Sequence, residues 1–78
     1  MIIDGVEQDF VTWDGKDFAA VQELLHPWRF NGEPLCRLPG ADMGRMEVQV
    51  GIPGQGTWTA PRVGQLIAVN NGGIVSIH

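Results

Sequence analysis

The sequence predicts an α+β domain: a small rolled antiparallel sheet or partial barrel of about five short strands with one helix packed on it. Three observations carry this expectation. One stretch, residues 17–26, places Phe18, Val21, Leu24 and Leu25 on one side at helical spacing. Later stretches alternate with period two instead, most clearly "MEVQVGI". The end of the chain, "GQLIAVNNGGIVSIH", reads as a hairpin that is apolar on both faces.

Taken in order, "VEQDFVTW" (6–13) becomes rich in β-formers toward its end and is read as a strand. "DGK" turns the chain into the helix 17–26, where Asp17 caps the start or favours the positive end of the dipole. Pro27 stops the helix, because the residue before a proline is pushed out of the helical region. Residues 27–45 follow neither period and are read as an irregular connection holding Trp28, Phe30, Leu35 and Leu38. In strand 46–52, Met46, Val48, Val50 and Ile52 take one face, and Glu47 and Gln49 the other. "TWTA" (57–60) is a short strand limited by Pro61. Strands 64–70 and 73–78 close the hairpin, with Asn71-Gly72 as the two left-handed turn residues. That register sets Val69 opposite Ile74 and Ala68 opposite Val75; the neighbouring Gly73 allows a slip by one. With apolar side chains on both faces, the hairpin calls for cover on each side: the helix on one, a second sheet, a barrel wall or another subunit on the other.

At 78 residues the chain is one domain with a thin margin, since so small a fold buries only about 60% of its unfolded surface. Cys36 has no cysteine partner, which excludes an internal disulfide and fits a reducing cytosol. His26, Cys36 and His78 stand too far apart in sequence for the close ligand spacing of a zinc site, so no metal and no cofactor is expected. Self-association or a partner is the remaining source of stability. No apolar run approaches the ~20 residues that cross a membrane, and the first residues lack a basic-then-apolar leader, so the expected location is cytoplasmic.

The net charge of -4 is unevenly spread. Residues 1–24 carry Asp4, Glu7, Asp9, Asp14, Asp17 and Glu23 against Lys16 alone. Such a front third opposes direct nucleic-acid binding, which needs clustered Lys and Arg. It either suits a basic partner or simply solvates one face.

Catalytic sets are sparse. Ser76 lacks the glycines of a nucleophile elbow. Cys36 with His26 reads first as a small buried hydrophobe beside a helix end. Asp14, Asp17 and Glu23 occupy ordinary turn and helix-surface positions. "GIPGQG" leads into "TWTAP" rather than into the helix a phosphate loop requires. The expectation is therefore a protein that is not an enzyme. Trp13 and Trp58 are assigned to the core. Trp28 sits beside Arg29 and Phe30, and Trp and Arg are enriched at binding hot spots, so this group is either a lid on the core or a contact surface. Trp28, Arg29, Phe30 and Arg37 are the candidate partner-binding residues. Trp58, Arg62, Ile67, Val69 and Ile74 are the candidates for self-association or a ligand pocket.

"FVTWDGKDFAAVQELL" followed by "MEVQVGIPGQGTWTAPRVGQLIAVNNGGIVSI" resembles a group of small bacteriophage and prophage proteins of the PGDYG type. The matching positions are Trp13, Asp14 and Gly15, then Gly56, Gly64 and Gly73; Gln65 stands where the group usually has Asp. The resemblance spans about 50 of the 78 residues, all outside 26–45, and implies a fold and a viral setting without an activity. The functional expectation is a small phage-type accessory protein that binds and inhibits a host or antiviral-defence protein. The alternatives are an oligomer that sequesters a small ligand such as a nucleotide signal, its arginines meeting the anion, and a structural phage component.

Overall fold

The computed structural model describes residues 1–3, 5–40 and 45–78; residues 41–44 of the expected connection lie outside the described residues. The architecture is α+β, with one helix and short antiparallel strands in small sheets. Strand β1 (Ile2–Ile3) pairs with β2 (Val6–Glu7), and β3 (Asp9–Thr12) follows. The expected strand 6–13 is thus divided at Gln8. The backbone N–H of Gln8 donates to Met1 O at 2.8 Å and its amide reaches Ile3 O, so residues 1–8 bond among themselves. Only from Asp9 does the chain bond elsewhere, to β9 (Leu66–Val69).

Helix α1 (Phe18–Leu25) is one residue shorter at each end than the expected 17–26. Asp17 is its N-cap and accepts from the Ala20 N–H at 3.1 Å; His26 is the C-cap, and Pro27 prevents a further turn. Val21 and Leu25 are buried, and Phe18 and Leu24 are half-buried against the core. An eight-residue helix is not stable alone. This one packs against strands of both larger sheets: β3 and β9 of one, and β6 (Cys36–Arg37) of the other.

Residues 27–45 contain regular structure that their sequence concealed. Strand β4 (Arg29–Phe30) pairs with β5 (Glu33–Pro34), and β6 pairs with β7 (Glu47–Val50). The β4–β5 turn is Asn31-Gly32, both left-handed, with φ of 52° and 77°. Strand β8 (Thr57–Thr59) completes the order β6-β7-β8.

The second sheet runs β10 (Val75–Ile77), β9, β3. Its register is Val75 to Val69, Ser76 to Ala68 and Ile77 to Ile67, one residue from the simplest hairpin expectation. The turn explains the shift. Of its loop residues only Gly73 is left-handed, at φ 78°; Asn71 and Gly72 are not. Asn70 N–H donates to Ile74 O, and the Asn70 side-chain oxygen accepts from the Gly72 and Ile74 N–H groups. Three loop residues with a final left-handed glycine replace the two-residue turn.

Among the described residues a single bridge joins the two three-stranded sheets: Gly51 N–H donates to Val75 O at 2.8 Å, and Val75 N–H returns to Gly51 O at 3.4 Å. Gln49 N–H donates to Leu35 O beside β6, and residues two apart present their N–H to the same strand edge. Strand β10 therefore takes up the edge of β7 where β6 leaves it. The result is a rolled, open succession β3-β9-β10-β7-β8, not a closed barrel. Its interior holds Trp13, Met46, Val48, Ile67, Val69 and Val75 with Leu35, Cys36 and the helix. Two expectations fail at its margins. Ile52 is exposed, because Gly51 at φ 108° breaks the alternation that would have turned it inward. Trp58 lies on the outer face of β8, because it pairs with Gln49 rather than with the inward Val48 row.

Two predictions follow from these turns. Replacing Gly73 with Ala should cost about 1–2 kcal/mol in urea unfolding, while Gly72→Ala should change stability by less than about 0.5 kcal/mol. Equal costs would restore the two-residue turn. The second concerns Asp14, whose carboxylate accepts from the Asp17 and Lys16 N–H groups at 2.8 Å each. Those bonds hold its pKa below the ordinary carboxylate value. The native state then binds fewer protons than the unfolded one, so the stabilisation is complete above the ordinary range and is lost as pH falls through the lowered native pKa. Asp14→Ala should lower the urea midpoint at about pH 7, and progressively less as the pH falls through the lowered native pKa.

Candidate functional site

Trp28, Arg29 and Phe30 divide between the two faces of hairpin β4–β5. Trp28 leaves the helix end, where its N–H donates to Leu25 O at 3.0 Å. It is half-buried, packs against the core, and lies across Gly73: a β-carbon added there would meet Trp28 Cε3 at 3.1 Å. Phe30, two residues on, covers Gly54, where an added β-carbon would sit 2.5 Å from the ring. The Phe30 side chain nonetheless remains 44% exposed. These two rings fasten the hairpin to two glycine turns, 51–56 and 70–73. Trp28 is thus chiefly a lid on the core, whereas Phe30 is both brace and surface.

Arg29 alternates to the other face, where it is paired in register with Pro34. Both border a groove of about 490 Å³ between the end of α1 and the hairpin. Leu25 and Cys36 are its buried members; Glu23, His26 and Pro27 are exposed along it. Among the described residues Arg29 has no carboxylate partner, and its guanidinium reaches only Gly32 O, at 3.4 Å. A smaller hollow of about 330 Å³ on the Trp28 side is bordered by Glu7, Asp9, Asn70 and Asn71.

Arg37 does not join Arg29. It points away from Cys36, to the outer face of the β6-β7-β8 sheet, where its Nε donates to Glu47 Oε1 at 2.9 Å. Its guanidinium lies 4.1 Å from the centre of the Trp58 ring. Trp58 and Arg37 thereby satisfy each other. Arg62 is exposed at the turn before β9, its backbone N–H donating to Gln65 Oε1. Ile67 and Val69 are enclosed, because β9 is the central strand of its sheet and both point into the core; neither offers a surface for self-association. Ile74 alone of the apolar candidates in that group is exposed.

The groove holds Cys36 together with His26, which the sequence paired only by proximity. Burial pushes the thiol pKa up, and the Arg29 guanidinium partly opposes that shift. The thiol is thereby held protonated, the opposite of an activated nucleophile. Ser76 shares a 2.8 Å hydrogen bond with His78, not His26. Among the described residues no group of three His, Cys, Asp or Glu side chains is placed to hold a metal ion, and no helix is long and apolar enough to cross a membrane. Sequence reasoning missed the hairpin itself; its signal was the Asn31-Gly32 pair. Comparison with protein-family models, curated proteins and solved structures finds no match for this chain.

The thiol supplies a check on this geometry. The thiolate absorbance of Cys36 in the folded chain should appear with a midpoint at a higher pH than in the unfolded chain. Arg29→Gln, which removes the opposing charge, should move that midpoint higher still. A midpoint unmoved by Arg29→Gln would separate the two side chains.

Proposed function

We propose that this is a small non-enzymatic accessory protein of phage type. It binds and inhibits a host or antiviral-defence protein in the cytoplasm of the cell, through hairpin β4–β5. The observation that carries the reading is a hairpin that shows a partly exposed aromatic, Phe30, on one face and, on the other, a cation without a carboxylate partner among the described residues, Arg29, while the Trp28 and Phe30 rings seat it on two glycine turns. Braced side chains lose little freedom on binding, and preorganisation of that kind is what raises affinity in small interfaces. Aromatic and Arg residues are also the usual anchors of such contacts. The sequestering oligomer has less support, because Arg37 and Trp58 are engaged with each other and Ile67 and Val69 are enclosed.

Because Trp28 belongs to the core, the test of binding uses Arg29→Ala/Phe30→Ala and treats Trp28→Ala as a stability variant. The double variant, with Arg29→Ala alone as the control that leaves the Phe30 brace in place and backbone NMR signals of residues 29–34 checking that the hairpin persists, should lose at least about tenfold in affinity for a protein captured from host lysate. Retained affinity in the double variant would remove the hairpin from the interface.

A further inference from the structure

The groove beside the hairpin joins an apolar floor to a charge that nothing inside the described structure neutralises. Leu25 and Cys36 form the floor, Pro27 and Pro34 border it, and the Arg29 guanidinium stands over it with one long hydrogen bond. Six of the eight bordering residues are exposed, so the groove is open to solvent along its rim. Sites for free small molecules enclose roughly 70–90% of the ligand. This one is open along its rim and covers such a molecule less completely. A segment of a folded partner, held in addition by Phe30 on the far side of the same hairpin, has no such requirement.

We infer that the groove receives an extended segment of the protein partner in which an apolar side chain stands next to a carboxylate. The carboxylate meets Arg29, whose planar fork matches it with two parallel N–H donors. The apolar side chain lies on Leu25, Pro27, Pro34 and Cys36. Neither proline has a backbone N–H to compete for the carboxylate. Glu23 borders the same groove and opposes an anion, so selectivity rests on direct contact with Arg29. Long-range steering contributes little: the net charge is -4, and salt screens beyond about 8 Å. The inference rests on the hairpin being a contact surface and adds the chemistry of what it contacts.

The test titrates the isotope-labelled full chain with acetyl-Leu-Asp-Leu-Asp-amide and with its Leu-Asn-Leu-Asn counterpart, following backbone amide signals by NMR. The acidic peptide should shift Leu25, His26, Arg29 and Cys36 and bind about fivefold more tightly than the neutral one. Arg29→Gln should erase that preference, and Glu23→Gln should strengthen acidic-peptide binding about twofold. Equal binding of the two peptides, shifts confined to other elements, or no shifts would overturn the inference. Tighter binding of free 3-phenylpropionate than of the acidic peptide would overturn the assignment to a protein segment. If the acidic peptide fails while Arg29→Ala/Phe30→Ala still loses its captured protein, only the segment chemistry falls. If both fail, the binding reading falls with it.

Discussion

The ring of Trp28 lies on Gly73, and much of the molecule is placed by that contact. The ring is delivered by the end of α1 through the bond from its N–H to Leu25 O, so the helix axis sets where the indole goes. The surface that receives it is the turn between β9 and β10, where the missing β-carbon leaves room for an aromatic face. Pro53 lies on the same glycine at 3.5 Å from its notional β-carbon, which brings loop 51–56 into the same cluster. Three segments distant in sequence therefore meet at one glycine, with the indole as the largest group on it. A fold this small has little core to spare, and concentrating long-range contacts on one large side chain is an efficient way to offset chain entropy.

What the sequence disclosed depended on whether a local signal was redundant. Helix α1 was legible because the apolar spacing, the Asp17 cap and the Pro27 stop agree. Strand β7 was legible because a row of alternating apolar residues admits one register only. The Asn-Gly signal was ambiguous, because the dipeptide occurs twice and its meaning is set by its neighbours. At 71–72 long apolar flanks suggested a two-residue turn, but the adjacent Gly73 accepted the left-handed conformation and Asn70 capped the loop with its side chain. At 31–32 the same dipeptide does form a left-handed pair, yet its strands are two residues long and one contains Pro34. No periodicity can be read from two residues.

The candidate site was legible in part for a related reason. Side-chain type pointed to residues 28–30, but their division between two faces follows from strand alternation, and the strand itself was hidden. Once β4 exists, Trp28 and Phe30 must share a side and Arg29 must take the other. The tryptophans show the same limit. Trp13 and Trp58 both lie in or beside β-strands, and only register separates them: Trp13 continues the ladder to Gln65 and points inward, while Trp58 pairs with Gln49 on the face that carries Arg37 and Glu47. Aromatic content gave no means of distinguishing them.

Glycine makes this arrangement attainable and also limits it. Two-residue strands need a reversal every few residues, and the left-handed positions at Gly32, Gly54 and Gly73 supply reversals that other residues adopt only under strain. Each glycine also adds backbone entropy to the unfolded chain, on the order of 0.5–1 kcal/mol relative to alanine. The aromatic rings on Gly54 and Gly73 answer that cost locally by covering backbone that would otherwise be bare. The two glycines so covered are the ones against which hairpin β4–β5 rests. The covered part of a glycine-rich surface is thus the part that carries Arg29 and Phe30. Packing of that backbone under two rings, rather than apolar area, is the physical argument behind the recognition proposed for that hairpin.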